Sequence, residues 1–161
     1  MSAAADITLA EAQAFVWREA ELLDQLAYRA WLPLWTDEGR YVVPIERDAK
    51  DHAAALNIVH DDGEMRAARA KRLLSGFSMS SAPPARTVRT LSRFVVAAAD
   101  HDAIDLPCAM HLVEYKYERT RLLAADVDYR LVRRDGGLAL DRKVVCLINS
   151  DDALFGIGYL L

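Results

Sequence analysis

The stretch ADVDYRLVRRDGGLALDRKVVCL, residues 125–147, carries the pattern that decides the fold. Charged and apolar side chains alternate along its first half, as Asp126, Val127, Asp128, Tyr129, Arg130 and Leu131. This period of two predicts an antiparallel strand with one buried and one solvated face. Asp135-Gly136-Gly137 then supplies the residues that tight hairpin turns favour, so we expect a second strand to return beside the first.

Outside this hairpin, the second half of the chain continues to show strand patterns. Four strands are predicted there, at about residues 87–99, 109–120, 122–134 and 138–149. A shorter strand is predicted earlier, at residues 40–43, and it ends at Pro44. Residues 46–60 read as a loop with a short strand at about 56–59. The loop predicted between the first half and the four strands is SMSSAPPA, residues 78–85.

The first half of the chain carries helix signals. Thr8 and Glu11 have the spacing of a capping box, which starts a helix at Thr8 that we expect to run to about Ala30. A second helix is predicted from a cap at Asp61 to about Leu74, with Ser75-Gly76 as its end. Helices followed by long antiparallel strands predict an α+β domain, with the helices packed on one face of a curved sheet.

Length and composition favour one soluble globular domain spanning residues 1–161. The chain is 53% hydrophobic and 27% charged, and its net charge of −4 comes from mixed acidic and basic residues. This balance predicts neither a nucleic acid nor an anionic membrane as partner. The basic run Arg66–Arg72 alternates with alanines and predicts a solvated helix face. We expect a cytoplasmic location because no signal-like segment and no apolar run of ~18 residues is present.

Cysteine and histidine offer few candidates for metal or catalytic chemistry. Cys108 and Cys146 are too few for a metal site or a disulfide framework, and we expect both to be buried as small hydrophobes. Cys108 and His111 have the spacing of half a Rieske site, but the matching Cys-x-His pair is missing. His60 and His101 precede aspartates that we interpret as cap or turn residues. The sequence therefore predicts no metal and no cofactor bound by this chain.

Glu19 is the residue that this pattern does not explain. It lies within FVWREAELLDQL, residues 15–26, near the middle of the apolar arc of the first predicted helix. A charge on a core-facing stripe costs several kcal/mol, by order of magnitude about 3–5, unless it is paired or neutralised. Glu19 is therefore a candidate functional residue or one half of a buried pair.

Several separated segments, in order, resemble the β (small) subunits of aromatic-ring-hydroxylating dioxygenases. They are WREAELLD (17–24), WLPLW (31–35), YVVPIER (41–47), DDGEMRAARAKRLLSG (61–76), PPART (83–87) and DRKVVCLINSD (141–151). The resemblance covers nearly the whole chain. It implies a nuclear-transport-factor-2-like (SnoaL-like) cone, in which N-terminal helices pack on a strongly curved, mainly antiparallel sheet.

The resemblance also implies a role and partners. Such β subunits form a trimeric base beneath catalytic α subunits in a mixed hexamer, and the α subunit holds a Rieske [2Fe–2S] cluster and a mononuclear Fe(II). The complex hydroxylates an aromatic substrate with O2 and electrons from NAD(P)H, while the β chain is structural. The apolar ending LFGIGYLL, residues 154–161, suits a segment buried in the core or at a subunit interface.

Three hypotheses remain open for Glu19 and the chain. In the structural hypothesis, Glu19 pairs with one of four arginines and fastens the helix to the sheet: Arg47, Arg69, Arg86 or Arg142. In the enzyme hypothesis, a stand-alone cone-fold isomerase or dehydratase uses Glu19 as general acid or base, with Tyr28, Tyr41 or His60 as polar companions. In the third, the chain is a small-ligand binding module with an open apolar cavity.

Overall fold

The computed structural model describes residues 5–75, 83–152 and 157–161. The helices in these ranges are α1 (Leu9–Asp24), α2 (Tyr28–Trp31) and α3 (Gly63–Leu74), with short 3₁₀ turns at Leu32–Leu34 and His52–Ala54. The strands are β1 (Trp35–Pro44), β2 (Asn57–Asp61), β3 (Arg86–Ser92), β4 (Ala98–Ala99), β5 (Ala103–Lys116), β6 (Arg119–Arg134) and β7 (Gly137–Leu147).

The strands form one strongly curled sheet in the order β2-β1-β7-β6-β5-β3, and β4 pairs with β5 beside this path. Among the described strands, every pairing is antiparallel except that of β1 with β7, which is parallel. The helices pack on the concave face, where α1 contacts β3 and α3 contacts β1. The predicted α+β fold with a mainly antiparallel, curved sheet is therefore confirmed.

The capping box at the start of α1 forms as predicted. The Thr8 hydroxyl accepts from the backbone of Glu11, and the Glu11 carboxylate accepts from the backbone of Thr8. Arg133 binds the same carboxylate, and these hydrogen bonds lower the pKa of Glu11 to about 2. The sequence thus places the beginning of the helix correctly.

The prediction that this helix continues to Ala30 is wrong. The helix ends at Asp24, because Leu26 adopts a left-handed conformation with φ of 57°. The backbone N–H of Ala27 then bonds to the carbonyl of Leu22, and that of Leu26 to the carbonyl of Leu23, which is a Schellman ending. Leucine is an uncommon residue at such a position, so the usual glycine signal is missing.

Helix α3 begins one residue later than predicted. Asp62 is its N-cap and accepts from the backbone of Met65. Asp61, the predicted cap, is instead the buried last residue of β2 and binds Arg69 with both carboxylate oxygens, at 2.6 and 3.0 Å. The prediction of a solvated basic face is also wrong for Arg66, which is buried and lies 4.0 Å from the ring centroid of Trp35. Gly76 lies outside the described residues.

The predicted strands exist, with different bounds. The strand predicted at 87–99 divides into β3 and β4, because Arg93 has a φ of 56°. The strand predicted at 109–120 begins earlier, at Ala103, and includes Pro107, which pairs with Asp128 of β6. The Pro107 carbonyl accepts from Val95, so the side of β5 that lacks an N–H faces an irregular segment instead of a regular ladder.

Two tight turns connect the three longest strands. The predicted hairpin between β6 and β7 turns at Asp135 and Gly136, whose φ values of 51° and 77° are those of a type I′ turn. The turn between β5 and β6 is formed by Tyr117 and Glu118, with φ of 52° and 60°. The prediction placed this second turn too late in the chain, because neither Tyr117 nor Glu118 is a residue that such turns favour.

Strand β1 begins at Trp35, well before the predicted start at residue 40. An irregular segment separates the two parts of its pairing with β7, and only the second part was predicted. Trp35 lies opposite Leu140 and Arg40 opposite Arg142, so the intervening residues of β1 protrude from the ladder. At Gly39 a Cβ atom would lie 2.7 Å from Cε3 of Trp35 and 3.1 Å from the Leu140 carbonyl oxygen. The close approach of the chain to the buried Trp35 ring therefore requires glycine.

Gly39→Ala is expected to lower the free energy of unfolding by about 1–3 kcal/mol, because the added methyl group overlaps the Trp35 ring. Gly137→Ala is the matched control, since its Cβ would meet its nearest atom at 3.8 Å and change stability by about 0.5 kcal/mol or less. Urea unfolding of both variants measures the difference. Equal stabilities would contradict the requirement for glycine at position 39.

Candidate functional site

A row of four polar side chains crosses the concave face of the sheet. Residues paired across neighbouring strands point to the same face, and the pairing aligns Asp61 of β2 with Tyr41 of β1, Tyr41 with Lys143 of β7, and Lys143 with Tyr129 of β6. Each of the four is at most 1% exposed. We call these four residues the inner row.

A β-bulge determines that Lys143 belongs to the inner row. Leu140 pairs with Leu131, whereas Arg142 pairs with Arg130, so Asp141 is the extra residue on β7. Without the bulge, alternation from the buried Leu140 would point Arg142 into the core. The extra residue shifts the phase by one, which turns Arg142 outward and Lys143 inward.

Glu19 of α1 lies over the inner row and binds three side chains. Its Oε1 accepts from Lys143 Nζ at 2.7 Å and from Trp31 Nε1 at 2.9 Å, and its Oε2 accepts from the Tyr129 hydroxyl at 3.2 Å. Glu19 and Lys143 have no exposed side-chain surface. The carboxylate is therefore compensated by three donors from α2, β6 and β7.

Burial dominates the titration of the groups around Glu19. It lowers the pKa of Lys143, and the neighbouring Glu19 carboxylate opposes that effect. It raises the pKa of Tyr129 well above its usual value, and the charge of Glu19 adds to that increase. Tyr129 is thus a neutral hydroxyl near pH 7 and remains a hydrogen-bond donor to Glu19.

None of the four predicted arginines is the partner of Glu19. Arg47 binds Asp126 at 3.0 Å and the Leu147 carbonyl at 2.6 Å, and Arg69 binds Asp61. Arg86 lies near the Tyr115 ring, and Arg142 lies 3.5 Å from Asp105 on the outer face. The predicted pairing is therefore corrected to Lys143, the residue next to one of the candidates.

The polar companions named by the enzyme hypothesis are also placed elsewhere. Tyr41 exchanges two hydrogen bonds with the backbone of Leu161, at 2.9 and 3.3 Å. Tyr28 is buried and forms a hydrogen bond with the backbone of Leu160, and His60 pairs with Val42 on the opposite face of the sheet from the inner row. The groups that do meet Glu19 are Trp31, Tyr129 and Lys143.

The cysteines and histidines are dispersed among the described residues. Cys108 is buried, which raises its pKa to about 12, whereas Cys146 is only half-buried, contrary to prediction. Cys108 and His111 point to opposite faces of β5, and His101 lies beside the Ala5 carbonyl oxygen. Within residues 5–75, 83–152 and 157–161, no three metal-ligating side chains are grouped.

No helix in these ranges is both long and apolar enough to cross a membrane.

A second buried network, missed by the sequence analysis, lies at the β3 end of the concave face. Asp24, the last residue of α1, accepts from the Thr87 hydroxyl at 2.8 Å and from the Arg89 backbone at 3.0 Å, and it forms an ion pair with the Arg89 guanidinium. Glu114 of β5 pairs with Arg121 of β6 at 2.6 Å. No local sequence signal marks these residues, because the alternation of β3 turns Thr87 and Arg89 inward and the apolar Val88 outward.

Residues 157–161 fill the concave side between these two networks. Tyr159, Leu160 and Leu161 are at most 8% exposed, which confirms the expected burial for these three residues, whereas Ile157 and Gly158 are half-buried. A cavity of about 360 Å³ remains between the segment and strands β1 and β2. Tyr41 and Arg69 contribute to its lining, whereas Glu19 and Lys143 do not.

Removing one partner of the buried pair is expected to be costly. Lys143→Met and Glu19→Gln should each lower the free energy of unfolding by about 3–5 kcal/mol, because each leaves a buried group without its partner. The double variant should lose less than the sum, by about 1–3 kcal/mol. Urea unfolding of the four proteins measures this coupling.

The exposed pair of Arg18 and Glu21, 3.0 Å apart, supplies the control cycle. Arg18→Met and Glu21→Gln should show a coupling of about 0.5 kcal/mol or less. Additive losses at Glu19 and Lys143 would show that the two groups do not stabilise each other.

The chain is similar in sequence to known subunits of dioxygenases. Residues 18–151 match the family model described as "Ring hydroxylating beta subunit". The chain is 30% identical to the small oxygenase component of the p-cumate 2,3-dioxygenase system of Pseudomonas putida over 143 residues, which cover 87% of this chain and 79% of that protein.

Solved structures show the same fold. The β subunit of the benzoate 1,2-dioxygenase from Burkholderia mallei superimposes with a TM-score of 0.80 at 24% identity, covering 99% of this chain and 100% of that one. An NTF2-like protein with a cystatin-like fold from Novosphingobium aromaticivorans gives a TM-score of 0.59 at 14% identity, covering 87% and 81%. The predicted cone is thereby confirmed, and the chain belongs to the family of ring-hydroxylating dioxygenase β subunits.

Proposed function

We propose that this chain is the non-catalytic β subunit of a Rieske-type aromatic-ring-hydroxylating dioxygenase. The family match over residues 18–151 carries this proposal. A 30% identical relative is named the small oxygenase component of a dioxygenase system, which is the name of one part of a larger enzyme. The contribution of the chain is then to support the assembly of catalytic α subunits.

The contacts of Glu19 support a structural role. Both of its carboxylate oxygens accept hydrogen bonds from side chains of the same chain, and neither Glu19 nor Lys143 reaches the solvent or lines the 360 Å³ cavity. A general acid or base must reach a substrate proton directly or through one water molecule. The arrangement therefore favours an anchor between α1 and the sheet over the isomerase or dehydratase alternative.

The outer face of the sheet offers apolar surface for subunit contacts. Val88, Val113 and Leu122 pair across β3, β5 and β6, and they are 65%, 43% and 62% exposed. Contiguous exposed apolar side chains are typical of surfaces that bind other proteins. This row supports assembly with α subunits and with other copies of this chain.

In the proposed complex, three β chains form the base of a mixed hexamer in the cytoplasm. The α subunit carries the Rieske [2Fe–2S] cluster and the mononuclear Fe(II), and it oxidises an aromatic ring with O2 and electrons from NAD(P)H. Both iron centres then belong to the α subunit. The stand-alone binding module, which the size of the 360 Å³ cavity would permit, is the second candidate.

Affinity purification from the native source tests the proposal. The expected product is a complex in which this chain co-elutes in equal amount with an iron-containing chain, and mass measurement, chain analysis and iron determination are made on the same sample. An iron-free particle that contains this chain alone would contradict the proposal and favour the binding module or the enzyme hypothesis.

Glu19→Gln is expected to reduce both stability and the yield of the assembled complex, because the Lys143 ammonium group loses its counter-charge. Turnover per intact complex should be unchanged. The control is Glu21→Gln, which alters an exposed carboxylate two residues away. A Glu19→Gln complex with normal assembly and stability but no activity would contradict the structural role.

A further inference from the structure

The segment 157–161 is held by side chains that converge on it from three strands. The Tyr159 hydroxyl donates to Glu114 at 2.5 Å, the Leu160 carbonyl accepts from the Arg89 guanidinium, and the Leu161 N–H donates to the Tyr41 hydroxyl at 2.9 Å. These partners belong to β5, β3 and β1. The contacts resemble those by which a protein holds a small bound molecule, since a few polar groups around an apolar pocket fix its orientation.

The surroundings of the Tyr159 ring are those of a phenol-recognition site. Glu114 is 7% exposed and supplies the acceptor for the hydroxyl, while Arg121 lies 2.6 Å from the same carboxylate oxygen. The Arg89 guanidinium lies 6.0 Å from the centroid of the ring, at the outer limit of a cation–π contact. A buried carboxylate that is paired with a guanidinium group is a charged acceptor for a phenolic O–H, and charge-assisted hydrogen bonds are the stronger ones.

The sheet builds this site without help from the segment. Glu114 pairs with Thr87 of β3 and with Arg121 of β6, so the three residues form a row across the concave face. Arg89 is fixed independently by Asp24. Strands of the sheet and the end of α1 therefore pre-organise the site.

We propose that Glu114, Arg121, Arg89 and Tyr41 form a binding site for a small phenol with a neighbouring amide or carboxyl group, and that residues 157–161 are its tethered occupant. The phenol occupies the position of the Tyr159 ring, and the amide or carboxyl oxygen occupies that of the Leu160 carbonyl. This inference goes beyond assembly with α subunits and concerns the chain by itself.

Tethering predicts that free phenols compete poorly for the site in the intact chain. A group attached through a short linker acts at an effective concentration in the millimolar range or above. A free phenol must therefore exceed that concentration to displace Tyr159. Removing the Tyr159 side chain from the full chain vacates the site while the strands that form it remain.

The test is the melting temperature of full-length Tyr159→Ala with 4-methylphenol, which matches the removed side chain. The substitution should lower the melting temperature by about 10 °C, since it removes a buried aromatic ring. At ten times its Kd, 4-methylphenol should restore about 3–6 °C. Toluene, which has the same shape without the hydroxyl, should restore less than half of that.

Two proteins are matched controls. The wild-type chain and Tyr159→Phe leave no vacant ring position, so 4-methylphenol should not raise their melting temperatures. If Tyr159→Ala does not fold, the measurement is made on Tyr159→Leu with phenol. In crystals of the folded variant, the hydroxyl of 4-methylphenol should lie within hydrogen-bond distance of Glu114.

Two results would overturn the proposal. A folded variant that 4-methylphenol does not stabilise would show that the position has no affinity for phenols. Equal stabilisation by toluene would show an ordinary apolar hole without recognition by Glu114 and Arg121. Neither result depends on an α subunit, so failure here is distinguishable from failure of the proposed function.

Discussion

The contact between the Glu19 carboxylate and the Lys143 ammonium group is the interaction on which the rest of the structure depends. The two residues are 124 positions apart, and their atoms meet at 2.7 Å with no exposed surface. Such a pair is tolerated only when its geometry is good and its remaining donors and acceptors are satisfied. Trp31 and Tyr129 donate those additional hydrogen bonds, and they thereby connect α2 and β6 to the same carboxylate.

This constraint determines how the concave face is used. The interior of the cone is occupied by contacts of the chain with itself, through the inner row, the Asp24–Arg89 network and the segment 157–161. Polar groups on the concave face of a curved sheet can bind or transform a substrate when the substrate reaches them. Here the same kinds of groups stabilise the position of helices and strands, which suits a subunit whose proposed task is to present a constant outer surface.

The sequence predicted those features that depend on local patterns. The capping box of Thr8 and Glu11, the hairpin at Asp135–Gly136 and the burial of Glu19 all follow from a few neighbouring residues. The partner of Glu19 could not be predicted from local patterns. One bulge residue, Asp141, changes which side chains of β7 face inward, so Lys143 rather than Arg142 meets Glu19.

Turns made by unfavoured residues were missed for a related reason. Leu26, Tyr117 and Glu118 adopt positive φ without a glycine or asparagine to signal it. Their conformations are imposed by the packing of the elements on either side. The network of Asp24, Arg89 and Glu114 likewise depends on the curvature of the sheet, which no single segment encodes.

The parallel pairing of β1 with β7 has a consequence for how the protein folds during its synthesis. Strand β1 ends at Pro44, but its neighbour β7 ends at Leu147, so about a further two thirds of the chain must be synthesised before that edge of β1 is covered. Until β7 is made, the charge of Glu19 is not compensated by the Lys143 ammonium group, and the apolar face of α1 is not covered by the complete sheet. A nascent chain of this kind is open to premature association, and the sheet can close only after β7 has been synthesised.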